Sequence, residues 1–164
     1  MNRIIKKIIV LFSIISFYGC DKELKIERTP YIGNELRIDG YYYEMGKNGQ
    51  IWNTFFFYRN GLVLNGGSSN INETLEDLDN NFVSEAFKNS IGKYNWGVFI
   101  IDGENITINR WTYSPGLGSG LPTLLQDGKI VNDTTFYFKQ EEEQSFYHFR
   151  QFNSKPDSTN NFIK

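Results

Sequence analysis

Four dipeptides constrain this chain more than any other feature: Asn48-Gly49, Asn60-Gly61, Asp102-Gly103 and Asp127-Gly128. Asn-Gly and Asp-Gly are the strongest short-range hairpin signals, because both central residues of the tight turn need positive φ. Each adjoins runs rich in aromatic and β-branched residues, at 35–44, 51–59, 62–64, 94–101, 105–111 and 129–131. Two further runs, 134–140 and 145–152, flank the charged turn 141–143. Aromatics make up 16% of the chain, which stocks a β-rich core and argues against disorder. About eight strands in up-and-down order predict an all-β fold, an antiparallel barrel. Closure removes the exposed edges of an open sheet. A two-sheet β-sandwich is the alternative.

One segment departs from the two-residue period. Ile71, Leu75, Leu78, Phe82 and Ala86 recur at helical spacing. Glu76, Asp77 and Asp79 sit at its start and Lys88 near its end, which suits the helix dipole. Thr74 and Asp77 have capping-box spacing, and Gly92 can end the helix. The pattern predicts one amphipathic helix near 74–89, inserted between strands three and four, covering an end or side of the sheet.

The first twenty residues carry a different signal. Arg3, Lys6 and Lys7 precede the apolar run 8–18, then Gly19 and Cys20, the only cysteine. The apolar stretch is shorter than the ~20 residues a spanning helix needs. This order resembles a bacterial lipoprotein signal, with Phe17 and Tyr18 in the relaxed lipobox of Bacteroidetes-type lipoproteins. The resemblance implies cleavage before Cys20 and lipidation of its thiol. It divides the chain into a signal peptide 1–19, a lipidated cysteine and tether 20–34, and a single barrel domain 35–164. It also implies a cell-envelope protein held by lipid in the outer membrane, its face open. Lys22-Glu23 loosely resembles a surface-export signal of such lipoproteins. Removing residues 1–19 takes three positive charges and no acid from a chain of net charge −2, leaving −5. That argues against nucleic acid, which requires a basic stripe.

The strand order resembles that of small lipocalins, with Gly40-Tyr41-Tyr42 where that family carries Gly-x-Trp. The resemblance implies a barrel that binds a small apolar ligand or an envelope protein partner. Tyr42, Trp52, Phe56, Trp96, Trp111 and Tyr113 are the candidate binding residues. In the runs Tyr41-Tyr42-Tyr43 and Phe55-Phe56-Phe57, neighbours face opposite sides of the sheet, so both faces are aromatic. The outer rings therefore need a cover: the helix, the tail or a partner. The tail 153–164 either folds back through Phe162 and Ile163 or is disordered.

Other motifs stop short of chemistry. His148 is the single histidine and has no acid–base partner in a local motif. Asp77, Asp79 and Asn81 imitate a calcium loop, but Phe82 stands where glycine is needed and Lys88 where glutamate is. They read as a solvated helix start. Gly116, Gly118 and Gly120 run into Leu121-Pro122, without the Lys and Ser or Thr of a phosphate loop. They read as a loop at the barrel mouth. Asp133-Thr134-Thr135 and Asp157-Ser158-Thr159 resemble Bacteroidetes-type O-glycosylation sites. No metal site, cofactor or catalytic set is expected, and the chain reads as non-enzymatic. A structural or inhibitory lipoprotein with a filled barrel is the alternative function.

Overall fold

The computed structural model describes residues 26–112, 123–139 and 144–163. The signal-like segment, Cys20, Tyr113 and the glycines at 116, 118 and 120 lie outside them. The described elements are β1 (Gly40–Met45), β2 (Ile51–Phe57), β3 (Leu62–Asn65), α1 (Leu75–Val83), α2 (Glu85–Ser90), a 3-10 turn (Lys93–Asn95), β4 (Trp96–Asp102), β5 (Asn105–Trp111), β6 (Thr123–Asn132), β7 (Thr135–Lys139) and β8 (Gln144–Gln151). Each strand pairs antiparallel with the next, and β1 pairs with β8, so the eight strands close into a barrel. The all-β barrel expectation holds, and the sandwich is excluded. The architecture is compatible with a lipocalin-like fold.

Three of the four turn dipeptides sit at turns, with Gly49, Gly61 and Gly103 at φ +80°, +83° and +57°. The fourth does not. Asp127 and Gly128 lie inside β6, where Gly128 pairs with Ile106 and Phe138. A Cβ on Gly128 would stand 2.2 Å from the Tyr137 carbonyl oxygen, so glycine is kept there for close approach, not for a turn. The β6–β7 turn falls at Asp133-Thr134 instead, with the Asn132 side chain accepting from the Thr134 amide at 2.9 Å.

Alternation along the strands sorts the rings into two cores. One fills the barrel. Phe57 and Phe136 meet at 5.7 Å, and Phe55 and Phe138 at 6.1 Å, although β2 and β7 are not neighbours. Such contacts run across the lumen. Tyr42, Val63, Phe99, Ile106, Ile108 and Tyr147 belong to the same cluster. Leu36 and Tyr31 join it, and the Arg37 amide donates to the Asp133 carbonyl at 2.9 Å. Residues 31–39 thus close one end of the barrel.

The second core lies outside the wall. Tyr41, Phe56, Leu62, Leu64, Trp96, Val98 and Trp111 form its barrel side. Leu78, Phe82 and Phe87 from the helices, Ile26 from the N-terminal side and Ile163 from the tail cover it. The described part of the expected tether therefore packs on the barrel. The tail folds back as well: the Tyr58 hydroxyl donates to the Pro156 carbonyl at 3.0 Å. The chain itself supplies the cover that its outer aromatics need.

The single predicted helix is two. Ser84 has extended backbone (φ −69°, ψ 147°) and separates α1 from α2. Its amide donates to the Asn81 carbonyl and its Oγ accepts from the Phe87 amide, so one serine ends the first helix and caps the second. The bend lets Phe82 and Phe87 meet at 5.0 Å over the same core. The Thr74–Asp77 capping box is present at the start of α1.

Asp79, expected in a solvated helix start, clamps α1 to the barrel. Its carboxylate accepts from Arg150 Nε at 3.0 Å and from the Tyr41 hydroxyl at 2.9 Å. Hydrogen bonds to a charged group are worth about 1.5–3 kcal/mol each, less where water reaches them. Asp79→Ala is expected to lower unfolding free energy by about 2 kcal/mol, read as an earlier urea midpoint. An unchanged midpoint would mean that the clamp contributes nothing.

Candidate functional site

The predicted binding residues do not converge. Tyr42 is buried in the lumen, where its hydroxyl donates to the Asp133 carbonyl at 2.6 Å. Phe56, Trp96 and Trp111 are buried in the outer core, facing away from the lumen. Lys93 lies over the Trp111 ring at 4.6 Å, and the buried Trp111 Nε1 has no hydrogen-bond partner among the described residues. Trp52 is 53% exposed, close to Gly46 on the β1–β2 hairpin. Tyr113 lies outside the described residues. His148 is exposed on β8, 6.2 Å from the Tyr43 ring. Among the described residues, no three His, Cys, Asp or Glu are grouped to hold a metal ion.

Two features arise where sequence offered no pattern. The first is a groove of about 760 Å3 between the helices and the folded-back tail. Phe82, Val83, Ile91 and Trp96 form one wall; Lys155, Pro156, Asp157 and Phe162 line the other. It exists because the tail returns along the helical cover instead of leaving the barrel. Lys155 anchors that return. Its Nζ donates to the Ile38 carbonyl at 2.9 Å and to the Phe57 carbonyl, and sits 4.0 Å from the centre of the Tyr58 ring. Burial pushes its ammonium down to about 8, against the opposing pull of Asp39. A lysine in a polar tail carries no sequence sign of such an anchor.

The second feature is a polar rim inside the barrel at the end opposite the 31–39 plug. Glu44 pairs with both Asn53 and Tyr147, which puts these three side chains on the lumen face. The Tyr147 hydroxyl donates to Glu44 Oε2 at 2.8 Å and accepts from Asn53 Nδ2 at 3.3 Å. On the other wall, Arg110 pairs with Gly97 and Leu124, also facing inward. Its Nε donates to Gln126 Oε1 at 3.3 Å. Burial pushes the Arg110 guanidinium below its ordinary value, and the Tyr147 hydroxyl opposes the shift. The turn signals foretold the strands that carry Glu44, Asn53 and Arg110 but not the stretch of β6 that holds Gln126, and a lone arginine in a strand resembles any exposed one.

No family model, curated protein or solved structure matches the chain. The fold and the groove carry the functional argument.

Proposed function

We propose that this chain is a lipid-anchored lipoprotein of the bacterial cell envelope, held in the outer membrane through Cys20. In this reading it is a non-enzymatic carrier or sensor of a small apolar ligand. The groove between the helices and the tail carries the reading. Its volume of about 760 Å3 falls within the range of roughly 300–1,000 Å3 that small-molecule sites occupy. Its walls combine rings with a few polar groups, the mixture that such sites use for affinity and orientation. The phenyl rings packed across the lumen favour this outer groove over the barrel interior as the ligand site.

The test is native mass spectrometry of the protein purified gently from its own membrane. A co-purifying small apolar compound is expected, and it should be lost from Val83→Asp and Phe162→Asp variants. Both side chains are partly exposed, so the fold should tolerate the change. The same compound retained by both variants would overturn the groove. In the same preparation, Cys20→Ala should move the protein out of the membrane fraction.

Trp52 favours a second reading. It is the one described candidate ring left exposed, with half-exposed Met45 nearby on the same hairpin. In an interaction lipoprotein this hairpin would dock a protein. A co-purifying protein lost on Trp52→Ala would favour that reading.

A further inference from the structure

We propose that the side of the barrel covered by the helices and the tail docks on a lipid bilayer, with Val83 and Phe162 seated among the headgroups. This rests on the lipid anchor of the proposed function and adds the direction in which the domain faces. The cover lies on one side only. Among the described residues, the outer core draws on β1 to β5, the helices, Ile26 and Ile163, and on none from β6, β7 or β8. The chain enters on that covered side. Ile26 is 6% exposed within the outer core. Thr29 runs against the β2–β3 turn, where a Cβ on Gly61 would stand 2.0 Å from the Thr29 carbonyl oxygen. The neighbouring Asn60 Nδ2 donates to Ser158 Oγ of the tail at 3.1 Å. The first described residues and the tail therefore border one turn.

Chain length sets the orientation. Five residues, 21–25, separate Cys20 from Ile26. Even fully extended, such a link spans only about 21 Å. A lipid on Cys20 holds Ile26 within that reach of the membrane, and the outer core with it, so the bilayer is the partner this side meets. Val83 and Phe162, each 43% exposed, stand on opposite walls of the groove. Lys88 lines the same groove, and a lysine stem lies on apolar surface while its ammonium stays at headgroup depth. Two half-exposed side chains hold a free protein to lipid weakly. A short tether makes the same contact intramolecular, at high effective concentration. Cleavage takes three positive residues from a net charge of −2 and leaves −5, so apolar burial and not attraction to anionic lipid drives the contact. That docking puts the groove against the lipid, where an apolar ligand partitions.

Site-directed fluorescence quenching tests the orientation. Cys20 is the only cysteine, and lipidation occupies its thiol, so one introduced cysteine takes a label at one place. Val83→Cys and Phe162→Cys, each carrying a nitrobenzoxadiazole label, are reconstituted as the lipidated full chain in phosphatidylcholine vesicles. Part of the lipid bears a nitroxide on the upper acyl chain. Leu125→Cys and Phe146→Cys, at exposed positions on β6 and β8, are the comparisons. All four side chains are partly exposed, so the fold should tolerate the labels. Quenching at positions 83 and 162 should exceed that at 125 and 146 by about threefold or more, because an interfacial contact sinks only its own face among the headgroups. Adding Phe162→Asp should cut quenching at position 83 by about half or more while the protein stays on the vesicles. Equal quenching at all four positions, stronger quenching at 125 and 146, or no effect of Phe162→Asp would overturn the docking and leave the lipid anchor standing. Failure of the wild-type chain to float with the vesicles would overturn the anchor, and the docking with it.

Discussion

Phe82→Ala is expected to lower unfolding free energy by about 3–5 kcal/mol, the range for removing a buried phenyl ring from a core that relaxes only partly. Phe82 is 1% exposed and is the central contact between α1 and the barrel. Its ring lies 4.9 Å from Phe56, 5.2 Å from Tyr41 and 5.0 Å from Phe87, all in edge-to-face geometry. Such pairs add to the plain burial term. A nine-residue helix has little stability alone, so α1 depends on this packing. Domains of this size are stable by only about 5–15 kcal/mol, so the loss is a large share of the total. Urea unfolding followed by circular dichroism reads it, with exposed Trp52→Ala as a control expected to stay within about 0.5 kcal/mol. A Phe82→Ala protein as stable as that control would show that the helical cover is dispensable and the outer core is not one cooperative unit.

That cover explains what was legible in the sequence and what was not. The hairpin dipeptides act locally, through the φ of one or two residues, so strand order and closure could be read from them. Asp127-Gly128 misled because the same residue pair serves a different need, the close approach of β7 to β6. The helical period from Ile71 to Ala86 was real, but its break at Ser84 follows from packing Phe82 and Phe87 onto one surface. A serine midway along a helix does not announce which way its hydroxyl turns. The double-sided aromatic runs correctly demanded a cover for the outer face. Whether that cover was the chain or a partner depends on long-range contacts such as Tyr58 to Pro156, separated by 98 residues. The same distance in sequence hid the groove and the anchoring role of Lys155. Arg110 was illegible for another reason: inward or outward placement is a matter of register, and a slip of one residue reverses it.

Alkali should unfold this protein abruptly, with stability falling steeply above pH 10. Tyr41, Tyr42, Tyr58 and Tyr147 are buried, and burial pushes each hydroxyl well above its ordinary value of 10.0. Asp79 adds to the shift at Tyr41, and Glu44 at Tyr147, since each accepts the proton-bearing hydroxyl. In the unfolded chain these groups lose their protons near pH 10. Above that pH the unfolded state holds fewer protons than the folded one, so stability falls as pH rises until the folded hydroxyls ionise too. Each tyrosine contributes about 1.4 kcal/mol per pH unit, so by pH 12 four of them remove on the order of 10 kcal/mol. Lys155 acts with the opposite sign. Its folded value is lowered to about 8 from 10.5, so between those values the unfolded state holds the extra proton and stability rises. One lysine against four tyrosines leaves a shallow maximum below pH 10 and a steep fall beyond it. Absorbance at 295 nm and circular dichroism, followed together, should show late tyrosine ionisation arriving with loss of structure in one step. Tyr58→Phe should remove about a quarter of the slope, because the other three remain. Smooth ionisation of Tyr41, Tyr42, Tyr58 and Tyr147 near pH 10 with the circular dichroism unchanged would mean that water reaches these hydroxyls and that the two cores are looser than their packing implies.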